Sequence, residues 1–184
     1  FFTCPNHAGD QMNGYILKPT NFDPSKRYPV VMSQYSGPGS QSVLDKWTID
    51  WEYYLVSKGF IVACVDGRGT GGRSRAYETS VYMQLGKLET EDQVAGAEYM
   101  RTLPYVDGKH IGIYGWSYGG YETLMAMSTS NGTYQAGVAI APVTDWRYYD
   151  TIYAERFMRT PNENNEGYEQ SAPITHAEKL KGDL

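Results

Sequence analysis

The sequence is poor in the features that most readily assign a chain to a class. It holds two cysteines, Cys4 and Cys64, too few for a disulfide framework and silent about redox compartment. Cys64 lies inside the apolar run Phe60–Val65, where a small buried thiol is expected rather than a reactive one. No apolar stretch approaches the roughly 20 residues that a bilayer-spanning helix needs. Positive charge is short as well: 16 Lys and Arg against 21 Asp and Glu leave a net charge of −5. That balance gives no electrostatic reason to expect nucleic acid or an anionic membrane as partner. Internal repeats and low-complexity tracts are missing. Histidine occurs three times, at His7, His110 and His176, which narrows the choice of any general base.

What is abundant is tyrosine, 17 residues, several of them clustered after Pro142. Its apolar ring and polar tip suit pockets and interfaces, although most copies are expected simply in an aromatic-rich core. A chain of 184 residues can bury one sizeable core, so a single domain is expected.

Met12–Lys18 alternates weakly and meets Pro19, as a strand entering a loop would. Tyr28–Gln34 and Phe60–Val65 are strands of the fully buried type. The first runs into the loop Tyr35–Gly39, the second into Asp66 and a glycine-rich loop. Helical spacing is predicted over 47–59, 85–103 and 117–128. In the first of these Trp47, Trp51, Tyr54 and Leu55 share a face, and Gly59 is a natural stop. His110–Tyr114 and Gln135–Ala141 complete the strands, while 21–27 and 160–167 read as surface connections. Strands rich in Val and Ile, each followed by a helix, predict an α/β fold with a mostly parallel sheet covered by helices.

Between the strand HIGIY and the helix YETLMAMS stands Gly115-Trp116-Ser117-Tyr118-Gly119. A G-x-S-x-G turn in that context lifts a serine hydroxyl above the sheet, and its glycines are needed because side chains there would collide with the neighbouring strand and helix. The following helix N-terminus offers backbone donors and a favourable dipole to a developing oxyanion. Ser117 is therefore the candidate nucleophile. Gly67–Gly72 also fits G-x-G-x-x-G, but Arg73-Ser74-Arg75 follows where a dinucleotide site needs an amphipathic helix, so a shaped loop is expected and no cofactor or metal.

A serine nucleophile needs a base oriented by a carboxylate, in the chain order Ser, Asp or Glu, His. His7 and His110 precede Ser117, and His110 lies at the far end of its strand. His176 follows, but in the polar, helix-like stretch 173–181 rather than in a loop after a strand. Asp145 and Asp150 come only a few residues after the last full strand. A compact esterase using Ser117, Asp145 or Asp150, and His176 is one alternative, and a non-catalytic binding module is another; the favoured expectation is that the nucleophile is here and its partners are not.

Tyr35–Gly39 with Gln41, Asp66–Gly69, Gly115–Gly120 and Ala141–Met158 occur in this order, and together they resemble the catalytic domain of the prolyl oligopeptidase family, in its dipeptidyl peptidase IV branch. The resemblance implies an α/β-hydrolase fold preceded by a β-propeller, with the catalytic aspartate and histidine beyond Leu184. On that reading residues 1–184 are the N-terminal and central part of a peptidase domain, incomplete at the C-terminal end and inactive alone. It implies a serine exopeptidase that releases N-terminal dipeptides with proline, or alanine, at the penultimate position; a tripeptidyl enzyme of the same family is the alternative. It further implies export to the periplasm or cell surface and pairing through the hydrolase domain. Residue by residue, Ser117 matches the nucleophile, and Tyr35 matches the tyrosine whose hydroxyl joins the Tyr118 N–H in the oxyanion hole. Tyr118, Val143, Trp146, Tyr149 and Tyr153 match the pocket for the proline ring. The spacing of Trp146, Tyr149 and Tyr153, at i, i+3 and i+7, predicts one face of a single helix.

Overall fold

The central strands follow from their composition. In the computed structural model, which describes all of Phe1–Leu184, β1 (Phe2–Pro5) and β2 (Gln11–Leu17) lead into β3 (Tyr28–Ser33), β4 (Ile61–Asp66), β5 (Val106–Trp116) and β6 (Ala136–Ile140). These form one six-stranded sheet in the order β1-β2-β4-β3-β5-β6. The pairs β4-β3, β3-β5 and β5-β6 are parallel, and β2 runs antiparallel to both β1 and β4. The mostly parallel sheet expected from the sequence is thus present, with a short β1 at one edge that the sequence pattern did not reveal. Every residue of β4 is buried, the signature of a parallel strand covered on both faces.

The helices are α1 (Glu52–Ser57), α2 (Arg75–Thr79), α3 (Lys87–Thr102), α4 (Tyr118–Thr129), α5 (Thr151–Met158) and α6 (Asn165–Gln170). Side chains alternate across the sheet. Val30 and Met32, Ile61, Ala63 and Val65, and Ile111 and Ile113 point to one face, where Ala95, Ala97 and Met100 of α3 and Ala126 and Met127 of α4 complete the main core. Right-handed crossovers place α1 on the opposite face. There Glu52 accepts hydrogen bonds from the Tyr15 and Ser33 hydroxyls, at 3.0 and 2.5 Å.

Several boundaries differ from the sequence expectation. The first helix begins only at Glu52, and Trp47, 79% exposed, lies outside it. β5 starts at Val106, four residues before the predicted strand, and α6 opens inside the stretch expected to be loop. The predicted stop at Gly59 is correct, with that residue at φ 91° just past the α1 C-terminus. Both cysteines are buried; burial pushes the Cys4 thiol up to about 11 and the Cys64 thiol well above its ordinary value, so neither is poised to react.

The glycine-rich loop after β4 is a packed structural turn. A Cβ on Gly67 would lie 2.6 Å from that of Asp92, and one on Gly71 would lie 2.8 Å from the Gly39 carbonyl oxygen. Asp92, on α3 and fully buried, accepts from the Arg68 N–H at 2.6 Å and from Arg68 Nη2 at 2.7 Å, while Nη2 also donates to Glu91 at 3.0 Å. Replacing Arg68 strands a buried carboxylate. Arg68→Met is therefore expected to cost about 3–5 kcal/mol of stability. Equilibrium denaturation checks this, and Asp92→Asn in the same background should recover part of the loss.

Candidate active site

The site is assembled at the C-terminal ends of three adjacent strands, where parallel α/β sheets place their chemistry. Three non-glycine residues there have positive φ: Ser36 after β3 (64°), Ser117 after β5 (59°) and Ala141 after β6 (47°). Strain of this kind persists only where surrounding structure enforces it.

At Ser117 the enforcement is visible atom by atom. Its backbone sits at φ 59°, ψ −113°, between the end of β5 and the first residue of α4. The Ser117 N–H donates to the Ile140 carbonyl at 2.9 Å, and the Ser117 carbonyl accepts from the Tyr121 N–H at 2.9 Å. A Cβ on Gly115 would approach the Gly119 carbonyl oxygen to 2.2 Å, and one on Gly119 would approach the Gln34 carbonyl oxygen to 2.4 Å. Both glycines are thus required by close approach, as the motif predicts. Tyr118 opens α4, so its N–H has no preceding helical carbonyl and is available to an anion.

Tyr35 follows β3 after the single residue Gln34 and is 40% exposed, with its ring 6.2 Å from that of Tyr118. The remaining aromatic residues also gather here, though not as one helix face. Trp146 lies in a 3-10 turn capped by Asp145, whose carboxylate accepts from the Arg147 N–H at 2.8 Å. Tyr149 is extended backbone, and Tyr153 lies in α5, whose start is fixed by Asp150 accepting from the Tyr153 N–H at 2.8 Å. Two capping aspartates thus split the predicted helix into two turns. Contact survives the split: Trp146 and Tyr153 stack at 5.7 Å, and Tyr149 meets them edge-on at 5.8 and 5.4 Å. Val143 packs against the same cluster.

Exposure sorts these residues into two layers. Tyr118 and Trp146 are almost wholly buried and form a floor, while Tyr35 and Tyr149 stand above it, each about two-fifths exposed. Burial pushes the Tyr153 phenol well up, and the neighbouring Tyr35 and Tyr149 phenols add to the shift. Beneath it the Tyr118 hydroxyl donates to Glu89 Oε1 at 2.7 Å. Burial raises the Glu89 carboxyl to about 7, against the pull of that hydrogen bond. Glu122, one turn into α4, is likewise pushed well up by burial and by Glu89, and is held by the Thr90 hydroxyl at 2.8 Å. Sequence reasoning missed both acids, because nothing in their spacing distinguishes a buried carboxyl from a surface one.

No imidazole reaches Ser117. His7 pairs with Glu98 at 2.8 Å and His110 with Asp107 at 2.7 Å. His176 bonds to the Gln170 carbonyl at 2.8 Å and shares a cavity with Ser128 and Thr129, at the far end of α4. A 12-residue helix separates that end from Ser117 by about 18 Å. The compact esterase alternative fails on this geometry, since its base is out of reach and its candidate acids are helix caps. No group of His, Cys, Asp and Glu is arranged to hold a metal ion.

With the geometry in place, comparison with known proteins is informative. The sequence profile of the prolyl oligopeptidase family matches residues 47–184. A protein of Grosmannia clavigera named "Probable dipeptidyl-aminopeptidase B" is 47% identical over 172 residues, 92% of this chain and 18% of that protein. One of the same name from Ajellomyces dermatitidis is 50% identical over 157 residues, 84% of this chain and 17% of that protein. The crystal structure of Porphyromonas gingivalis dipeptidyl peptidase 4 superposes with a TM-score of 0.96 at 55% identity, covering 99% of this chain and 26% of that one. The chain thus spans under a fifth of these curated relatives and about a quarter of that structure.

The Glu89 environment makes a pH prediction. Its ordinary value is 4.5 and its folded value about 7, so between these the native state keeps a proton that the unfolded chain has lost. This group's contribution to stability therefore falls as pH rises through that window and is lowest above about 7. Glu89→Gln keeps an acceptor for Tyr118 but cannot ionise. Its melting temperature should match the parent near pH 5 and exceed it by several degrees at pH 8, as thermal unfolding at the two pH values will show.

Proposed function

This chain belongs to the prolyl oligopeptidase family, and from that premise we propose that it carries the nucleophile and oxyanion half of a serine exopeptidase releasing N-terminal dipeptides with proline, or alanine, in the penultimate position. The observation that supports this most is the strained Ser117 turn, with Tyr35 and the Trp146–Tyr149–Tyr153 aromatic cluster at its side. In the proposed reaction Ser117 Oγ attacks the carbonyl carbon of the penultimate residue and gives its proton to a base. The Tyr118 N–H and the Tyr35 hydroxyl hold the oxygen that becomes an anion. The C–N bond then breaks, the departing amine takes up the proton, and water hydrolyses the resulting ester on Ser117.

The aromatic cluster suits a pyrrolidine ring, which is apolar and brings no N–H to satisfy. Alanine would fit the same space with less contact. On this reading the base and its orienting acid are supplied from outside residues 1–184, and these residues alone would turn over substrate on the order of 10⁶-fold more slowly than a complete triad.

Two measurements on the full-length protein test the proposal. A fluorophosphonate should label Ser117 rapidly, and Ser117→Ala should abolish the labelling; an unlabelled protein would favour a binding module. Chromogenic Gly-Pro should be cleaved faster than Gly-Ala, and both faster than Gly-Ala-Pro. A preference for the tripeptide would instead identify a tripeptidyl enzyme. Gly119→Ala, which drives a methyl group into the Gln34 carbonyl, should lower the labelling rate by about 100-fold or more.

A further inference from the structure

Gln34 and Ser36 sit on either side of Tyr35 and are both buried. The Gln34 side chain does not stay with its own strand. It crosses to the turn after β5, where Nε2 donates to the Gly119 carbonyl at 2.7 Å and to the Thr123 hydroxyl at 3.2 Å. The space it occupies is the one vacated at Gly115, where a Cβ would lie 2.6 Å from Nε2. Its other atom, Oε1, accepts from the Ser36 hydroxyl at 2.9 Å. Ser36 in turn accepts from Gln93 Nε2 at 3.1 Å, and that nitrogen also donates to the Val65 carbonyl at 3.1 Å. The Val65 bond fixes the Gln93 amide orientation, and with it the direction of the whole chain of bonds.

Satisfying the backbone does not require this arrangement. The Gly119 carbonyl already accepts from the Thr123 hydroxyl at 2.8 Å. Burying a carboxamide carries a desolvation cost, and an apolar side chain of equal size would fill the gap beside Gly115 without it. What the carboxamide adds is a fixed separation. One end holds Ser36, which follows Tyr35 at a strained φ of 64°; the other holds Gly119, which follows Tyr118. These are the two residues assigned above to the oxyanion hole, and they belong to segments more than 80 residues apart in the chain, the Gln34–Gly119 separation being 85.

We infer that Gln34 is a positioning residue for the oxyanion site, locking the Tyr35 hydroxyl and the Tyr118 N–H into one rigid pair of donors through Ser36 and Gly119. The inference rests on the oxyanion role proposed above for Tyr35. A site of this kind acts on the transition state and not on ground-state binding, because the donors must meet the oxygen where it arrives. A displacement on the order of 1 Å can cost about 100-fold in rate.

The test is a double-mutant cycle in the full-length protein with chromogenic Gly-Pro as substrate. Gln34→Met should lower kcat by about 10- to 100-fold and leave KM within about threefold. Tyr35→Phe should lower kcat by about 100-fold. In the Tyr35→Phe background, Gln34→Met should cost under about fivefold, because one of the donors it positions is gone. Equal losses from Gln34→Met in both backgrounds, or a rise in KM with kcat unchanged, would overturn the inference and leave the oxyanion role standing. If Tyr35→Phe alone leaves kcat unchanged, the oxyanion role falls and the inference falls with it. Should Gln34→Met not accumulate as folded protein, Ser36→Ala removes only the bridging hydroxyl. It should cost about three- to tenfold in kcat, again only when Tyr35 is present; no loss, or the same loss without Tyr35, would reject the inference.

Discussion

Between Gly119 and the Gln34 carbonyl there is no room for a methyl group, and between Gly115 and the Gly119 carbonyl there is still less. The sheet brings the ends of β3 and β5 side by side, and α4 must leave β5 within a single residue to cover the sheet's face. Ser117 is that residue. Its positive φ follows from the sharpness of the departure, and the three glycines around it, Gly115 in β5 and Gly119 and Gly120 in α4, are required because backbone from α4, from the end of β3 and from β6 fills the space their side chains would need. The geometry of the Ser117 turn is in this sense a packing result, obtained before any chemistry is considered.

Tyr118 shows how one residue can carry several of these constraints. Its backbone opens α4, its ring forms the floor under Tyr35 and Tyr149, and its hydroxyl reaches the buried Glu89. The aromatic cluster therefore stands on a carboxyl that ionises near neutrality, with a second raised carboxyl, Glu122, close behind it. A buried acid pair under an apolar floor is costly in a fold that needs only stability. Here it ties α3 to α4 immediately behind the strained turn.

Much of this was legible in the sequence. The Val- and Ile-rich run of β4 read directly as a fully buried strand, whereas β3, read the same way, alternates with only Val30 and Met32 buried; GWSYG between a strand and a helix pointed to the turn at Ser117. The aromatic residues after Pro142 were rightly grouped, but for a partly wrong reason. Spacing suggested one helix, whereas the caps at Asp145 and Asp150 cut the segment into two turns that fold together. Gln34, Gln93 and Glu89 were invisible, since their roles depend on long-range contacts that no local period encodes. β1 escaped for a related reason: four residues are too few to establish an alternation, and its identity as a strand comes from pairing with β2.

The 85-residue separation between Gln34 and Gly119 also bears on how the molecule is made. Closing a loop of that length costs about 4 kcal/mol in chain entropy, and nothing local repays it until β3 and β5 are in register. Helices α3 and α4 can form early from neighbouring residues, and Ile140 and Tyr121 hold the Ser117 turn from its own half of the chain, but its packing against the Gln34 carbonyl waits until β3 and β5 have met. In a refolding chain, then, helical content and the completed Ser117 turn arise on separate clocks. In a newly made chain the local contacts of the helices can therefore precede the non-local pairing that completes the surroundings of Ser117.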